Sequence, residues 1–212
     1  MKRTRILLAD DHTMLVEAIA SLLEPEFEVA GVFPDGRALL EAACELNPDL
    51  VVMDISMPTL NGLDTGRRLR ELRPAVKLIY LTMNDDPDLA AEAFRLGASG
   101  YVLKTCLSSE LIQAIREALR GRCYVTPLVT KGMVGSFVQN AMRNKHPQKL
   151  TLRQREVLQL LAEGRSMKEV AGLLDITPRT VAFHKYTMME HLQISTSAEL
   201  VQFAVRNSIV CQ

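Results

Sequence analysis

The run LVVMDI, Leu50 to Ile55, carries the reading of the fold. It is apolar at four consecutive positions, shorter than an ordinary helix, and then meets a single aspartate, Asp54. A strand without a polar face is covered on both sides, as in a parallel sheet between two helical layers. Moving outward, the pattern returns four times: RILLAD (5–10) and FEVAGV (27–32) before it, KLIYLT (77–82) and GYVLK (100–104) after it. Amphipathic, helix-length segments separate and follow these runs, so residues 5 to 121 predict five βα units. That pattern makes a doubly wound α/β domain, five-stranded and parallel, whose ligand site lies at the carboxyl ends of the strands.

The strand ends carry chemistry. Asp10 and Asp11 close the first run, Asp54 the third, Thr82 the fourth and Lys104 the fifth. Three carboxylates at one sheet edge repel one another unless a cation joins them, and an all-oxygen set with room for water suits Mg²⁺. Lys104 and Thr82 add an ammonium and a hydroxyl, the groups that a transferred phosphoryl unit needs for its equatorial oxygens, and one carboxylate is available as nucleophile. An aspartate between a strand and a helix is ordinarily a helix cap. Caps account neither for the Asp10-Asp11 doublet nor for a lysine closing an apolar strand.

Taken together, Asp10-Asp11, the segment Asp54-Ile-Ser-Met-Pro58 with Gly62 after it, Thr82 and Lys104 resemble the receiver domains of response regulators over residues 4–121. The resemblance implies a flavodoxin-like fold and a phospho-acceptor at Asp54, which takes its phosphoryl group from a phosphohistidine of a sensor histidine kinase. It also implies Mg²⁺ held by Asp10, Asp11, Asp54 and the Ser56 backbone carbonyl, with Lys104 on the phosphoryl oxygens. Thr82 and Tyr101 would then form a switch in which the hydroxyl moves and the aromatic ring turns inward. Without the family, Tyr101 reads equally well as a half-buried strand aromatic. Asn84, two residues past Thr82, is a candidate for tuning loss of the phosphoryl group.

After Gly121 the strand pattern stops, and residues 122–149 read as a linker ending in the basic stretch Arg143 to Lys149. Val134, Phe137, Val138 and Met142 have helical spacing within Val129 to Met142. Residues 150–212 carry only helical patterns, at Thr151 to Ala162, Ser166 to Leu174, Thr177 to Leu192 and Ser197 to Val205, giving a smaller all-α domain. Thr177 is placed to cap the third of these, with Pro178 at its first position. Leu173, Leu174, Ile176, Val181, Met188 and Leu192 are expected to bury one face; Ala182, Phe183, Lys185, Tyr186 and Glu190 are expected on the other. The segment LTLRQREVLQLLAEGRSMKEVAGLLDITPRTVAFH, residues 150–184, resembles the helix-turn-helix of NarL/LuxR-type regulators. This implies a recognition helix from Thr177 to Leu192 that binds double-stranded DNA, with Thr177, Arg179, Thr180, Ala182, Phe183, Lys185 and Tyr186 as candidate contacts. A last helix that helps form a homodimer of the phosphorylated chain is implied too. Ala182 stands where the family most often has lysine, and Tyr186 and Glu190 also depart from its usual polar or basic residues.

Composition excludes more than it assigns. Lys plus Arg and Asp plus Glu are equal at 25 each, so net charge gives no sign of nucleic-acid binding. No apolar run reaches the roughly 18–20 residues of a membrane span, and Met1 to Arg5 leads straight into a strand, so the expected place is the cytoplasm. Cys44, Cys106, Cys123 and Cys211 are widely spaced and read as reduced thiols; His184 and His191 have no partners at zinc-site spacing. The reading is of a transcription factor controlled by phosphorylation of Asp54, and not an enzyme. Two alternatives stay open: a phosphorylation-independent regulator or protein-binding adaptor with a degenerate recognition helix, and a Mg²⁺-dependent phosphohydrolase.

Overall fold

The five expected strands form in chain order: β1 (Arg5–Ala9), β2 (Glu28–Phe33), β3 (Leu50–Met53), β4 (Lys77–Thr82) and β5 (Gly100–Leu103). The computed structural model describes residues 3–130, 132 and 150–210. They belong to two units, Met1–Asn144 and Lys145–Gln212. Helices α1 (Thr13–Leu23), α2 (Gly36–Leu46), α3 (Gly62–Leu72), α4 (Pro87–Arg95) and α5 (Leu107–Leu119) follow the strands in turn, and a short 3-10 turn, Lys104–Cys106, leads into α5. The strands lie in the order β2-β1-β3-β4-β5 and are parallel throughout. A sixth strand joins them: β6, Tyr124–Val125, pairs in parallel with the outer side of β5. The sequence reading counts five strands and assigns these two residues to the linker. Residues 127–130 then make a helical turn, and Val129 is buried in the same core as Leu103 and Tyr101. The rest of the expected helix, with Val134, Phe137, Val138 and Met142, lies outside the described residues.

Because side chains alternate along a strand, each one feeds two cores. Leu7, Val51, Met53, Leu78 and Tyr80 point to one face, with Leu39, Leu63, Leu69 and Ala90 of α2, α3 and α4. Ile6, Leu8, Leu50, Val52, Ile79 and Val102 point to the other, with Val16, Ile19, Leu111 and Ile115 of α1 and α5. Double coverage is what the unbroken apolar runs require.

The second unit contains α6 (Leu152–Ala162), α7 (Met167–Leu174), α8 (Pro178–Leu192) and α9 (Ser197–Arg206). Each start is fixed by a side chain. Thr151, Ser166 and Thr196 form capping boxes with Gln154, Glu169 and Glu199, while Thr177 accepts from the Thr180 N–H with Pro178 in the first turn. Val157, Leu158, Val170, Val181, Met188 and Leu200 form the core. Leu173 corrects the expected buried face: it is 42% exposed, because α7 turns Val170, Ala171 and Leu174 inward and leaves Leu173 outside that stripe.

Candidate functional site: an acidic pocket and an exposed helix

One residue of extra pairing beyond the strands builds the pocket. The Asp54 N–H donates to the Ala9 carbonyl (2.9 Å) and the Asp10 N–H to the Phe33 carbonyl (3.1 Å), so both aspartates sit at the level where the ladder ends. They are 3% and 6% exposed. From the 3-10 turn after β5, Lys104 reaches between them, with Nζ 2.7 Å from Asp10 Oδ2 and 2.7 Å from Asp54 Oδ2. Asp54 Oδ1 is buried with no hydrogen-bond partner among the described residues. Burial pushes the Asp54 carboxyl above its ordinary range; the Lys104 ammonium opposes this, the Asp10 charge adds to it, and the Ser56 backbone amide lowers it again. For Lys104, burial lowers the ammonium's pKa, but the hydrogen bonds and charges of Asp10 and Asp54 outweigh it and the net displacement is upward.

Glycine permits the close approach behind Asp54. A Cβ on Gly62 would lie 2.2 Å from the Asp54 carbonyl oxygen, while the Gly62 N–H donates to the Ile55 carbonyl at 2.8 Å. The α3 start is fixed by Asn61, whose side chain accepts from the Asp64 N–H.

His12 belongs to the pocket too. Its Nδ1 lies 3.0 Å from Asp10 Oδ1 and 3.1 Å from Asp11 Oδ1. Asp10, Asp11, His12 and Asp54 offer ligand atoms all within 4.8 Å of one another. The sequence reading passes over His12, although its place directly after the Asp10-Asp11 doublet was the available signal. The donor set fits a hard divalent cation: three carboxylates against one ammonium leave negative charge over, and among the described residues Asp54 Oδ1 has no hydrogen-bond partner.

Thr82 and Tyr101 sit on the adjacent strands and meet at the backbone of one residue, Asn84. Thr82 Oγ1 accepts from the Asn84 N–H (3.2 Å), and the Tyr101 hydroxyl donates to the Asn84 carbonyl (2.7 Å). Tyr101 is fully buried rather than half-buried, and burial, with the charges of Asp86, Asp85 and Asp54, pushes its phenol upward. The Asn84 side chain accepts from the Asp86 N–H at 2.8 Å, which gives it a local role at the start of α4.

On α8 the expected contacts divide by exposure. Phe183 and Tyr186 are 65% and 60% exposed, and Thr177 and Arg179 are exposed; Thr180, Ala182 and Lys185 are half-buried. Thr177 and Thr180 hold each other at 2.9 Å between hydroxyls. Lys185 Nζ donates to Ser197 Oγ at 2.8 Å and lies 5.8 Å from the centre of the Tyr186 ring.

Comparison with known proteins covers both units. Residues 6–116 match the response regulator receiver domain, and residues 148–204 match the bacterial regulatory proteins of the luxR family. Oxygen regulatory protein NreC of Staphylococcus carnosus is 32% identical, over 97% of this chain and 99% of its own length. A LuxR-family two-component response regulator from an Aurantimonas species is 33% identical over 65% of this chain and 99% of its own, with a TM-score of 0.62. The response regulator RcsB of Salmonella enterica serovar Typhimurium, solved bound to a promoter in the presence of the phosphomimetic BeF3-, is 25% identical over 95% of this chain and 98% of its own, with a TM-score of 0.61. Among the described residues no helix is long and apolar enough to cross a membrane. A phospho-receiver fold followed by a LuxR-type helix-turn-helix, matched along nearly the whole chain, makes this protein a two-component response regulator of the NarL/LuxR type, a DNA-binding transcription regulator.

Proposed function

We propose that Asp54 accepts a phosphoryl group from the phosphohistidine of a sensor histidine kinase in the cytoplasm, and that the modified chain grips a two-part DNA site as a homodimer through α8. The observation that carries this is the shared Lys104 ammonium, 2.7 Å from both Asp10 and Asp54, beside the unpartnered Asp54 Oδ1. Asp10, Asp11, Asp54 and the Ser56 carbonyl would hold Mg²⁺, which supplies positive charge against developing phosphoryl charge. In this reading Asp54 Oδ1 is the nucleophile. It forms the new P–O bond as the bond to the histidine nitrogen breaks, and the nitrogen keeps that electron pair. Lys104 stabilises the transferred oxygens by direct contact.

Phosphorylation brings nearly two negative charges next to Thr82. Its hydroxyl, now accepting from the Asn84 N–H, is drawn to the new acceptor oxygens. Because Tyr101 holds the carbonyl of the same residue, a shift of Thr82 reaches Tyr101 through the Asn84 backbone. Arg179, Phe183 and Tyr186 meet the major groove, and a two-fold pair of such helices matches two half-sites.

Duplex binding by the full chain, with and without Mg²⁺ and a small phosphodonor, tests this alongside Asp54→Asn and mass detection of the phosphoryl group. Tighter, sequence-specific binding on modification is expected, with both modification and tightening lost in Asp54→Asn. Specific binding indifferent to modification would support the phosphorylation-independent alternative, modification without duplex binding the adaptor, and turnover of external phosphate esters the phosphohydrolase.

A further inference from the structure

Along α8 the solvent-facing residues form one stripe. Arg179, Phe183, Tyr186 and Glu190 recur at intervals of four, three and four, and all are exposed, while Val181 and Met188 are buried on the opposite side. From Arg179 to Tyr186 the helix rises about 10 Å, the length of about three base-pair steps at roughly 3.4 Å each. Phe183 stands at the middle of that span. At 65% exposure it contributes little to the fold's own core. Lys185, the nearby cation, is not in the stripe: it is half-buried and directed to Ser197 on α9.

We propose that Phe183 is the specificity-determining residue of this helix and that it reads the 5-methyl group of a thymine in the major groove. The inference rests on α8 being the groove-entering helix and adds what it recognises there. A phenyl ring has no donor or acceptor, so against most base edges it would strip water from polar atoms and return no hydrogen bond. The thymine methyl is the apolar group that an unmodified base pair presents in the major groove, and a phenyl ring is a suitable contact for it. The charges around Phe183 agree. Thr177 to Tyr186 contains Arg179 and Lys185 and no carboxylate, so phosphates are favoured at the amino end, whereas Glu190 places an acid at the other end of the stripe. Ala182, beside Phe183, carries no side chain beyond Cβ and brings no charge to the ring.

The test uses the full chain with Mg²⁺ and a phosphodonor to enrich duplexes from a random pool. Thymines of the enriched half-site are then replaced one at a time by deoxyuridine, which removes only the methyl. At one position per half-site the affinity is expected to fall about fourfold, the equivalent of one methyl's burial, and about fifteenfold when both half-sites are changed. Phe183→Ala should bind the thymine and uracil forms equally, and Phe183→Leu should keep part of the difference. As an exposed residue, Phe183 can be replaced with its helix content and melting temperature preserved, which circular dichroism checks. Specific binding by the parent chain that is indifferent to uracil at every position overturns the role of Phe183. Failure to enrich any duplex overturns the reading of α8 itself, and binding of a protein by the Phe183–Tyr186 face in place of duplex does the same.

Discussion

In the receiver pocket, Asp10 and Asp54 are 6% and 3% exposed and share one ammonium; on α8, Phe183 and Tyr186 are 65% and 60% exposed, with local ring contacts to His184 and Lys185. The first group is already coupled before any partner arrives, so removing the shared ammonium leaves two buried carboxylates without it. The second group acquires its partners only on the duplex. A pocket that performs one fixed reaction is therefore built into the stability of the fold, while a surface that must distinguish sequences is nearly independent of it.

Three measurements strain that contrast, beginning with the largest effect. Lys104→Met removes the single cation between two buried carboxylates and is expected to destabilise the receiver by about 3–5 kcal/mol, the range for breaking a buried ion pair. Urea unfolding of the full chain reads this, and adding Mg²⁺ should restore part of the loss. A neutral result would mean that the pocket is no more coupled than the exposed helix. Gly62→Ala forces a Cβ to within 2.2 Å of the Asp54 carbonyl oxygen, an overpacking that costs about 1–3 kcal/mol. The rate of modification by a phosphodonor should fall with it, since the displaced backbone carries the nucleophile. An unchanged rate at reduced stability would separate the carbonyl from the reacting carboxylate.

The smallest effect concerns the exposed caps of the second unit. Hydrogen bonds from the Ser166 hydroxyl and backbone hold the Glu169 carboxyl below 4.5, and those from the Ser195 and Thr196 backbones do the same for Glu199. Since the folded values are lowered, the stabilisation is fully present above 4.5 and is lost as pH falls through the folded values. Hydrogen-exchange protection of peptides covering α7 and α9, taken relative to the intrinsic exchange rate at each pH, should fall over that acidic range. Glu169→Gln should flatten the response in α7 alone; an equal response in both variant and parent would assign the pH dependence to other groups.

Much of this was legible because burial on both faces leaves a long apolar signature. LVVMDI and its four counterparts mark their strands without help, and the polar residues Asp10, Asp54, Thr82 and Lys104 that end four of the runs mark the sheet edge where the pocket forms. Capping residues are similarly local, so Thr151, Ser166 and Thr177 fix their helix starts within the sequence. The role of the Asn84 backbone was not legible, because its N–H and carbonyl carry no side-chain signal and only the folded loop brings them to Thr82 and Tyr101. Lys185 was misleading for a related reason: sequence spacing puts it on the outer side of α8, but Ser197 of another helix draws its ammonium away. A two-residue strand has no alternation to detect, so Tyr124–Val125 passed as linker.

That short strand decides where the first unit can be cut. The Tyr124 N–H donates to the Ser99 carbonyl and the Thr126 N–H to the Tyr101 carbonyl, while Thr126 Oγ1 accepts from the Leu103 N–H and bonds Glu110. A fragment ended at residue 121 would remove this cover and leave β5, four buried residues long, as a raw sheet margin open to pairing with a second molecule. An excised receiver that carries the chain through residue 132 keeps its margin closed and its Tyr101 carbonyl engaged, so fragment length alone would separate a monodisperse preparation from a self-associating one.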